Sequence, residues 1–241
     1  MKSKCNFYCY KKTRKKNNVI TNKNKIIKLV VFDMDGVLID TISSWKYIHD
    51  YFKTSNNQSV DDYLKGKIDD KEFIKRDILL WKENGKPISK NKLREIVKDV
   101  PIMRGASECV ELLKTHNIKT AIVSAGLDVF AEIVTDQIDI DYVFCNGAKT
   151  NENGYLTGEG NLEVQLIYKD KNIIKLSKQL DISLENIASV GNSCFDIPMF
   201  EVSGIGIAFN PSDNCVKEAA DYIVYEKNLI KIIPILKKYF C

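Results

Sequence analysis

Two carboxylates, Asp33 and Asp35, stand at the end of the apolar run Leu29-Val30-Val31-Phe32, with Gly36 directly behind them. Side chains two apart on an extended backbone point the same way, so the two acids form a pair. Gly36 lets the chain leave in a tight turn. An unbroken apolar run of this length reads as a strand buried on both faces, as in a parallel sheet. Open α/β sheets bind ligands in the crevice outside the carboxyl ends of their strands. The pair is therefore placed to hold a metal ion or to supply a nucleophile. The plainer alternative is a strand end capped by solvated acids.

The same theme recurs downstream. Thr120-Ala121-Ile122-Val123 runs into Ser124-Ala125-Gly126, where a hydroxyl beside a donor-rich turn suits a phosphate oxygen or caps a helix. Ile187-Ala188-Ser189-Val190 ends in Gly191-Asn192, with Asp196 four residues on, and Gly204 to Phe209 ends in Asn210. Lys169 opens a helix, where a cation opposes the macrodipole. It needs an anion to pair with, or it is simply solvated along with Lys171 and Lys175.

In a parallel sheet all these strand ends lie along one edge. That edge is rich in oxygen and poor in nitrogen, since His49 and His116 are the only histidines. A Ser-His-Asp triad and a His-rich zinc site are therefore disfavoured. Oxygen ligands favour Mg²⁺, and a carboxylate nucleophile beside Mg²⁺ points to phosphoryl transfer through an aspartyl phosphate.

The elements that position this edge follow from periodicity. Ile42, Trp45, Ile48, His49 and Phe52 recur at helical spacing, Asn56 to Ser59 reads as a loop, and Asp69 caps a helix running through Trp81. Gly85 and Pro87 end it, and Ser89 opens another helix. These are too many for one crossover and read as a helical cap inserted after the first strand. Residues 105–116 form an amphipathic helix, 142–144 a strand and 145–160 a β-hairpin flap. Helices follow from Lys169, over 194–203, from Pro211 and over 228–239, and Tyr222 to Val224 is a strand. The domains expected are a basic, disordered tail over 1–25, a catalytic core over 26–40 and 101–241, and the cap over 41–100.

The 241 residues, 44% of them hydrophobic, can bury a sizeable core. Nine Lys or Arg and no acid fall within residues 1–25; the remainder holds 27 basic against 32 acidic residues. The body is thus mildly acidic, and only the tail points to nucleic acid. The chain reads as complete from Lys25 onward. No apolar run approaches a membrane span, and no signal peptide is visible. Seven cysteines without metal-type spacing suggest free thiols in a cytoplasmic protein.

The order Asp33-x-Asp35-Gly36, Ser124-x-Gly126, Lys169 and Gly191-Asn192-x-x-x-Asp196 resembles the four motifs of the haloacid dehalogenase-like hydrolases. Gly154-Tyr-Leu-Thr-Gly158 and Phe195-Asp-Ile-Pro-Met-Phe200 are similar to their phosphoserine phosphatase-like branch. The resemblance implies a doubly wound, Rossmann-type α/β core with a small helical cap. It also implies Mg-dependent hydrolysis of a small phosphorylated metabolite. By it, Asp33 is the nucleophile, and Asp35 protonates the leaving oxygen and later activates water. Ser124, Ala125, Gly126 and Lys169 bind the phosphoryl group, and Mg²⁺ sits on Asp33, the Asp35 carbonyl, Asn192 and Asp196. Three positions depart from the family. Asn192 stands where an Asp is usual, which leaves a weakened binding or regulatory member as one alternative. Ile42 and Asp77 stand where phosphoserine phosphatases place a Glu and an Arg, with Lys75 and Arg76 adjacent. The expectation is that phosphoserine is poor, and a sugar or polyol phosphate better; phosphoserine phosphatase proper is the other alternative.

Overall fold

The computed structural model describes residues 25–240, so the expected tail lies outside it except for Lys25. Lys25 donates to the carbonyl of Gly204.

Strand β1 (Leu29–Phe32) is fully buried, and its alternate residues enter two different cores. Val30 and Phe32 pack with Cys109 and Leu113 of helix α5 (Ala106–Thr115) and Phe130 of α6 (Asp128–Thr135). Leu29 and Val31 pack with Ile173 and Leu176 of α7 (Asp170–Leu180) and Phe200 of α8 (Ile197–Val202). A strand apolar on both faces becomes the centre of a three-layer molecule for this reason.

β1 pairs in parallel with β4 (Lys119–Leu127) on one side and β7 (Ile187–Gly191) on the other. Val30 stands opposite both Thr120 and Ala188. Beyond β4 lies β5 (Tyr142–Thr150), then β6 (Leu156–Asn161); beyond β7 lie β8 (Ile205–Phe209) and β9 (Tyr222–Val224). The seven-stranded order is β6-β5-β4-β1-β7-β8-β9, antiparallel only between β5 and β6. The chain winds outward on one side of β1 and then returns to build the other. The carboxyl ends of β4, β1 and β7 therefore meet at the reversal, where such sheets bind ligands.

Between β1 and α5 lie helices α1 (Ser44–Tyr51), α2 (Asn57–Leu64), α3 (Asp70–Leu79) and α4 (Lys90–Val97). Asp69 and Ser89 cap α3 and α4 as their spacing predicts, accepting from the N–H of Glu72 and Lys92. Other expectations fail. Asn57 to Ser59 are helical, because α2 needs only Ser59 and Tyr63 for its buried side and leaves its polar residues to solvent. α3 stops at Leu79, and Trp81 is buried beyond its end. Asn84 and Gly85, both at positive φ, turn a two-rung ladder between β2 (Lys82–Glu83) and β3 (Lys86–Pro87).

The hairpin after β5 turns where Asn151 and Gly154 predict, with Asn151 Oδ1 accepting from the N–H of Asn153 and Tyr155. It is not a separate flap: β5 is continuous from Tyr142, and β6 is the edge strand of the main sheet. Residues 194–203 divide into a 3₁₀ turn at Cys194–Asp196 and α8. Pro211 does not open a helix; Asp213 caps α9 (Asn214–Ala219) by accepting from the Val216 N–H. The expected helix over 228–239 is broken into α10 (Ile233–Leu236) between two 3₁₀ turns, with Pro234 inside it. Cys109 and Cys145 are free thiols, but Cys215, partly exposed in the first turn of α9, is disulfide-bonded, so the expectation of thiols throughout does not hold there.

Candidate active site

A cavity of about 1030 Å³ opens at the carboxyl ends of β1, β4 and β7 and extends under α1, α2 and α3. Asp33, Asp35, Ser124, Ala125, Gly126, Lys169 and Asn192 all line it. Asp196 lies directly behind.

Lys169 is the hub. Its Nζ is 2.9 Å from Asp33 Oδ1 and donates to Asp196 Oδ1 at 2.7 Å, with all three side chains buried. The cation at the head of α7 thus has two anions, which answers why it stands against the helix dipole. Burial works to lower the lysine's pKa, but Asp196 and Asp33 outweigh it and raise it. Burial, reinforced by Asp196 and Asp35, pushes the Asp33 carboxyl up to about 7 against the pull of Lys169.

Asp35 is gripped from the other side of the cleft. Its Oδ2 accepts from the Ser44 N–H at 2.8 Å and from Ser44 Oγ at 2.9 Å. Burial raises the Asp35 pKa, and the two bonds from Ser44 offset part of that. Ser44 Oγ also accepts from the Leu127 N–H, so one hydroxyl ties the start of α1 to the end of β4.

At the end of β4, Ser124 Oγ accepts from the Gly126 N–H at 3.1 Å. The hydroxyl proton of Ser124 is then left to donate into the cleft, while the Gly126 amide, expected to bind phosphate itself, is used to orient that hydroxyl. The Ala125 carbonyl accepts from Trp45 Nε1 and Asn146 Nδ2, which pins the turn. A Cβ on Gly126 would lie 2.7 Å from Ser44 Oγ, so only glycine lets α1 approach this closely.

Asp196 differs from its expected role. Its Oδ1 accepts from Lys169, and its Oδ2 from the N–H of Asn192 and Ser193 and from Ser193 Oγ. It is spent on fixing Lys169 and the turn that carries Asn192, and it offers little to a metal ion. The Asn192 side chain lies over Gly36, where an added Cβ would meet its Nδ2 at 2.1 Å. Among the described residues no group of three or more His, Cys, Asp or Glu side chains is arranged to hold a metal. What the cleft does present is Asp35 Oδ1, buried without a hydrogen-bond partner, and the Asp33 carboxylate, held by Lys169 alone, beside the Asn192 amide. One unsatisfied carboxylate oxygen, a second carboxylate held by a single lysine and a neutral amide oxygen fit a hard cation.

The family model for haloacid dehalogenase-like hydrolases matches residues 30–201. The chain belongs to the haloacid dehalogenase-like hydrolases. Its relatives include the phosphoserine phosphatase of Methanocaldococcus jannaschii, 28% identical over 87% of this chain and 98% of that protein. That of Lactococcus lactis is 30% identical over 73% of this chain and 79% of that protein. That of Archaeoglobus fulgidus is 30% identical over 89% of this chain, which spans 61% of its length. A solved structure described as a phospho-aspartyl intermediate analogue of phosphoserine phosphatase superposes with a TM-score of 0.73. It is 26% identical and covers 88% of this chain and all of that one. The chain is thus a haloacid dehalogenase-like phosphatase of the phosphoserine phosphatase-like branch, a phosphomonoester hydrolase working through an aspartyl phosphate.

Sequence reasoning missed Ser44 and Asn146; Trp45, placed by periodicity on the first cap helix, faces the cleft. Ser43-Ser44 ahead of an apolar-periodic stretch marks a helix start, and Ser43 is indeed the cap. Nothing local shows that Ser44 turns back to Asp35.

Proposed function

We propose that Asp33 is the nucleophile, that Asp35 is the general acid and base, and that the enzyme uses Mg²⁺ to hydrolyse a small phosphate ester whose alcohol carries no carboxylate. The observation that carries this reading is Lys169 bridging Asp33 and Asp196 at the cleft floor while Ser44 holds Asp35 opposite. Asp33 attacks phosphorus in line. The bond to the alcohol oxygen breaks, and Asp35 delivers a proton to that oxygen. Asp35 then takes a proton from water, whose oxygen attacks the same phosphorus and releases phosphate from Asp33. Ser124 Oγ and Lys169 bind the phosphoryl oxygens, preorganised by Gly126 and Asp196. Asp33, the Asp35 backbone carbonyl and Asn192 would hold Mg²⁺, which supplies charge neutralisation for the phosphoryl group.

Residues 41–100 read as a cap over the cleft, and the rest of the described chain as the core. Ile42, 86% exposed at the cleft mouth, offers no charge to a substrate. Arg76 is turned to Glu72 and Asp62, and Lys75 to Glu159, so neither supports binding of a substrate carboxylate. No helix among the described residues is long and apolar enough to cross a membrane. A small phosphorylated metabolite as substrate supports the cytoplasm as the place of action. Hydrolysis of p-nitrophenyl phosphate with Mg²⁺, and its loss with a chelator, tests the reading; no turnover by the wild-type protein in Mg²⁺ would overturn it.

A further inference from the structure

The cap side of the cleft holds a second buried carboxylate that the chemistry above does not use. Asp77, on α3, is 2% exposed and lines the cavity. Its Oδ2 accepts from Asn56 Nδ2 at 2.7 Å and faces His49 Nε2 at 3.3 Å. Its Oδ1 is buried and has no hydrogen-bond partner.

His49 gives Asp77 no hydrogen bond. The Trp81 indole N–H, a donor only, points at His49 Nδ1 at 3.4 Å, and Thr54 Oγ1 lies 2.9 Å from the same nitrogen. The indole N–H thus takes up Nδ1, while Nε2, which faces Asp77, is itself buried without a hydrogen-bond partner. Every lysine lining the cleft is already engaged: Lys46 with Asp50, Lys227 with Asp40, and Lys169 with Asp33 and Asp196. The neighbouring acid is satisfied, because Asp70 Oδ1 accepts from Tyr63 Oη and the Leu166 N–H. A buried charge left without a cation is costly. Here the cation must arrive with the ligand, and Trp45 and Phe73, which also line the cavity, suit a cationic head.

We propose that Asp77 is the specificity-determining residue of this cleft and that it receives the ammonium group of a phosphorylated amino alcohol that has no carboxylate. The proposal rests on the phosphomonoesterase reading and names its substrate class. The scale is suitable. Ser44, which grips Asp35, and His49, which faces Asp77, are five residues apart on α1, or about 7.5 Å along the helix at ~1.5 Å per residue. A two- or three-carbon amino alcohol phosphate spans a gap of that order once side chains reach inward. A carboxylate on the same carbon chain would meet Asp77 with like charge and find no free cation.

The test compares O-phosphoethanolamine with n-propyl phosphate, which has the same length and no ammonium, and with glycerol 1-phosphate, O-phosphoserine and p-nitrophenyl phosphate. The expected result is a kcat/KM for O-phosphoethanolamine about tenfold or more above the other alkyl phosphates, carried by KM, as for a charge-assisted hydrogen bond. In Asp77→Asn the ratio of kcat/KM for O-phosphoethanolamine to that for p-nitrophenyl phosphate should fall by about the same factor. The wild-type comparison stands even if that variant does not fold. Equal rates on O-phosphoethanolamine and n-propyl phosphate, or a preference for glycerol 1-phosphate or O-phosphoserine, would overturn the assignment of Asp77. Failure to hydrolyse p-nitrophenyl phosphate would instead overturn the phosphatase reading beneath it.

Discussion

Asp33 and Asp35 are two residues apart yet live under different constraints, and that difference carries the residue-scale expectations. Asp35 is held by Ser44 and has no lysine in contact. Asp35→Asn keeps the backbone carbonyl that would face a metal but removes the transferable proton. Turnover should fall roughly 10²–10⁴-fold, the usual worth of general acid–base catalysis, while Mg²⁺ affinity changes little; a loss below tenfold with chemistry rate-limiting would contradict the role. Asn192 offers a neutral oxygen where a carboxylate would add charge. Titrating Mg²⁺ without substrate should show tighter binding in Asn192→Asp and weaker binding in Asn192→Ala. Unchanged binding in the alanine variant would remove Asn192 from the ligand set. Asp33 gives a pH dependence whose sign can be worked out. An unfolded aspartate titrates near ~3.9, and burial, Asp196 and Asp35 push Asp33 up to about 7 in the folded chain. A carboxyl raised in this way favours the folded state fully below the unfolded value, and that contribution is lost as pH rises through the folded one. In chelator, Asp33→Asn should therefore melt higher than wild type, by a margin that grows from pH 5 to pH 8. At roughly 2–4 °C per kcal/mol for a chain of this size, the difference is readily measured. A margin that shrinks with rising pH would contradict the assignment.

At the scale of elements, the cleft wall depends on how closely α3 lies on β6. A Cβ on Gly160 would meet Ile74 Cγ2 at 2.1 Å, and one on Gly158 would meet Leu79 Cδ2 at 2.6 Å at φ +87°. These glycines let the helix that bears Asp77 rest directly on the edge strand. Gly160→Val should cost about 1–3 kcal/mol by overpacking and should raise KM more than it lowers kcat, since α3 borders the substrate end of the cavity and not its floor. Thermal melting and steady-state kinetics on one preparation would check both parts. The strand ends were legible because each is a local event, an apolar run closed by a polar residue. Lys169 was legible as a cation out of place at a helix head. The helix α2 does not show in the sequence because its buried side is only Ser59 and Tyr63, too few to set up a period. Ser44, Asn146 and the His49–Asp77 pair could not be read at all, since each takes its meaning from a partner 9 to 28 positions away in the chain or from the direction of a side chain.

For the whole molecule, the order β6-β5-β4-β1-β7-β8-β9 makes the rest coherent. It brings Asp33, Ser124 and Asn192 from three separate stretches to one edge, and α7 delivers Lys169 between them. The central claim is that this edge forms a covalent bond to phosphorus at Asp33. The most direct measurement is acid quench of the enzyme during turnover of p-nitrophenyl phosphate in Mg²⁺, followed by peptide mapping by mass spectrometry. The account predicts one phosphoryl group on the peptide containing Asp33, localised to Asp33 and absent from Asp33→Asn. Turnover with the phosphoryl group on any other residue, or an Asp33→Asn protein that turns over as wild type does, would contradict it.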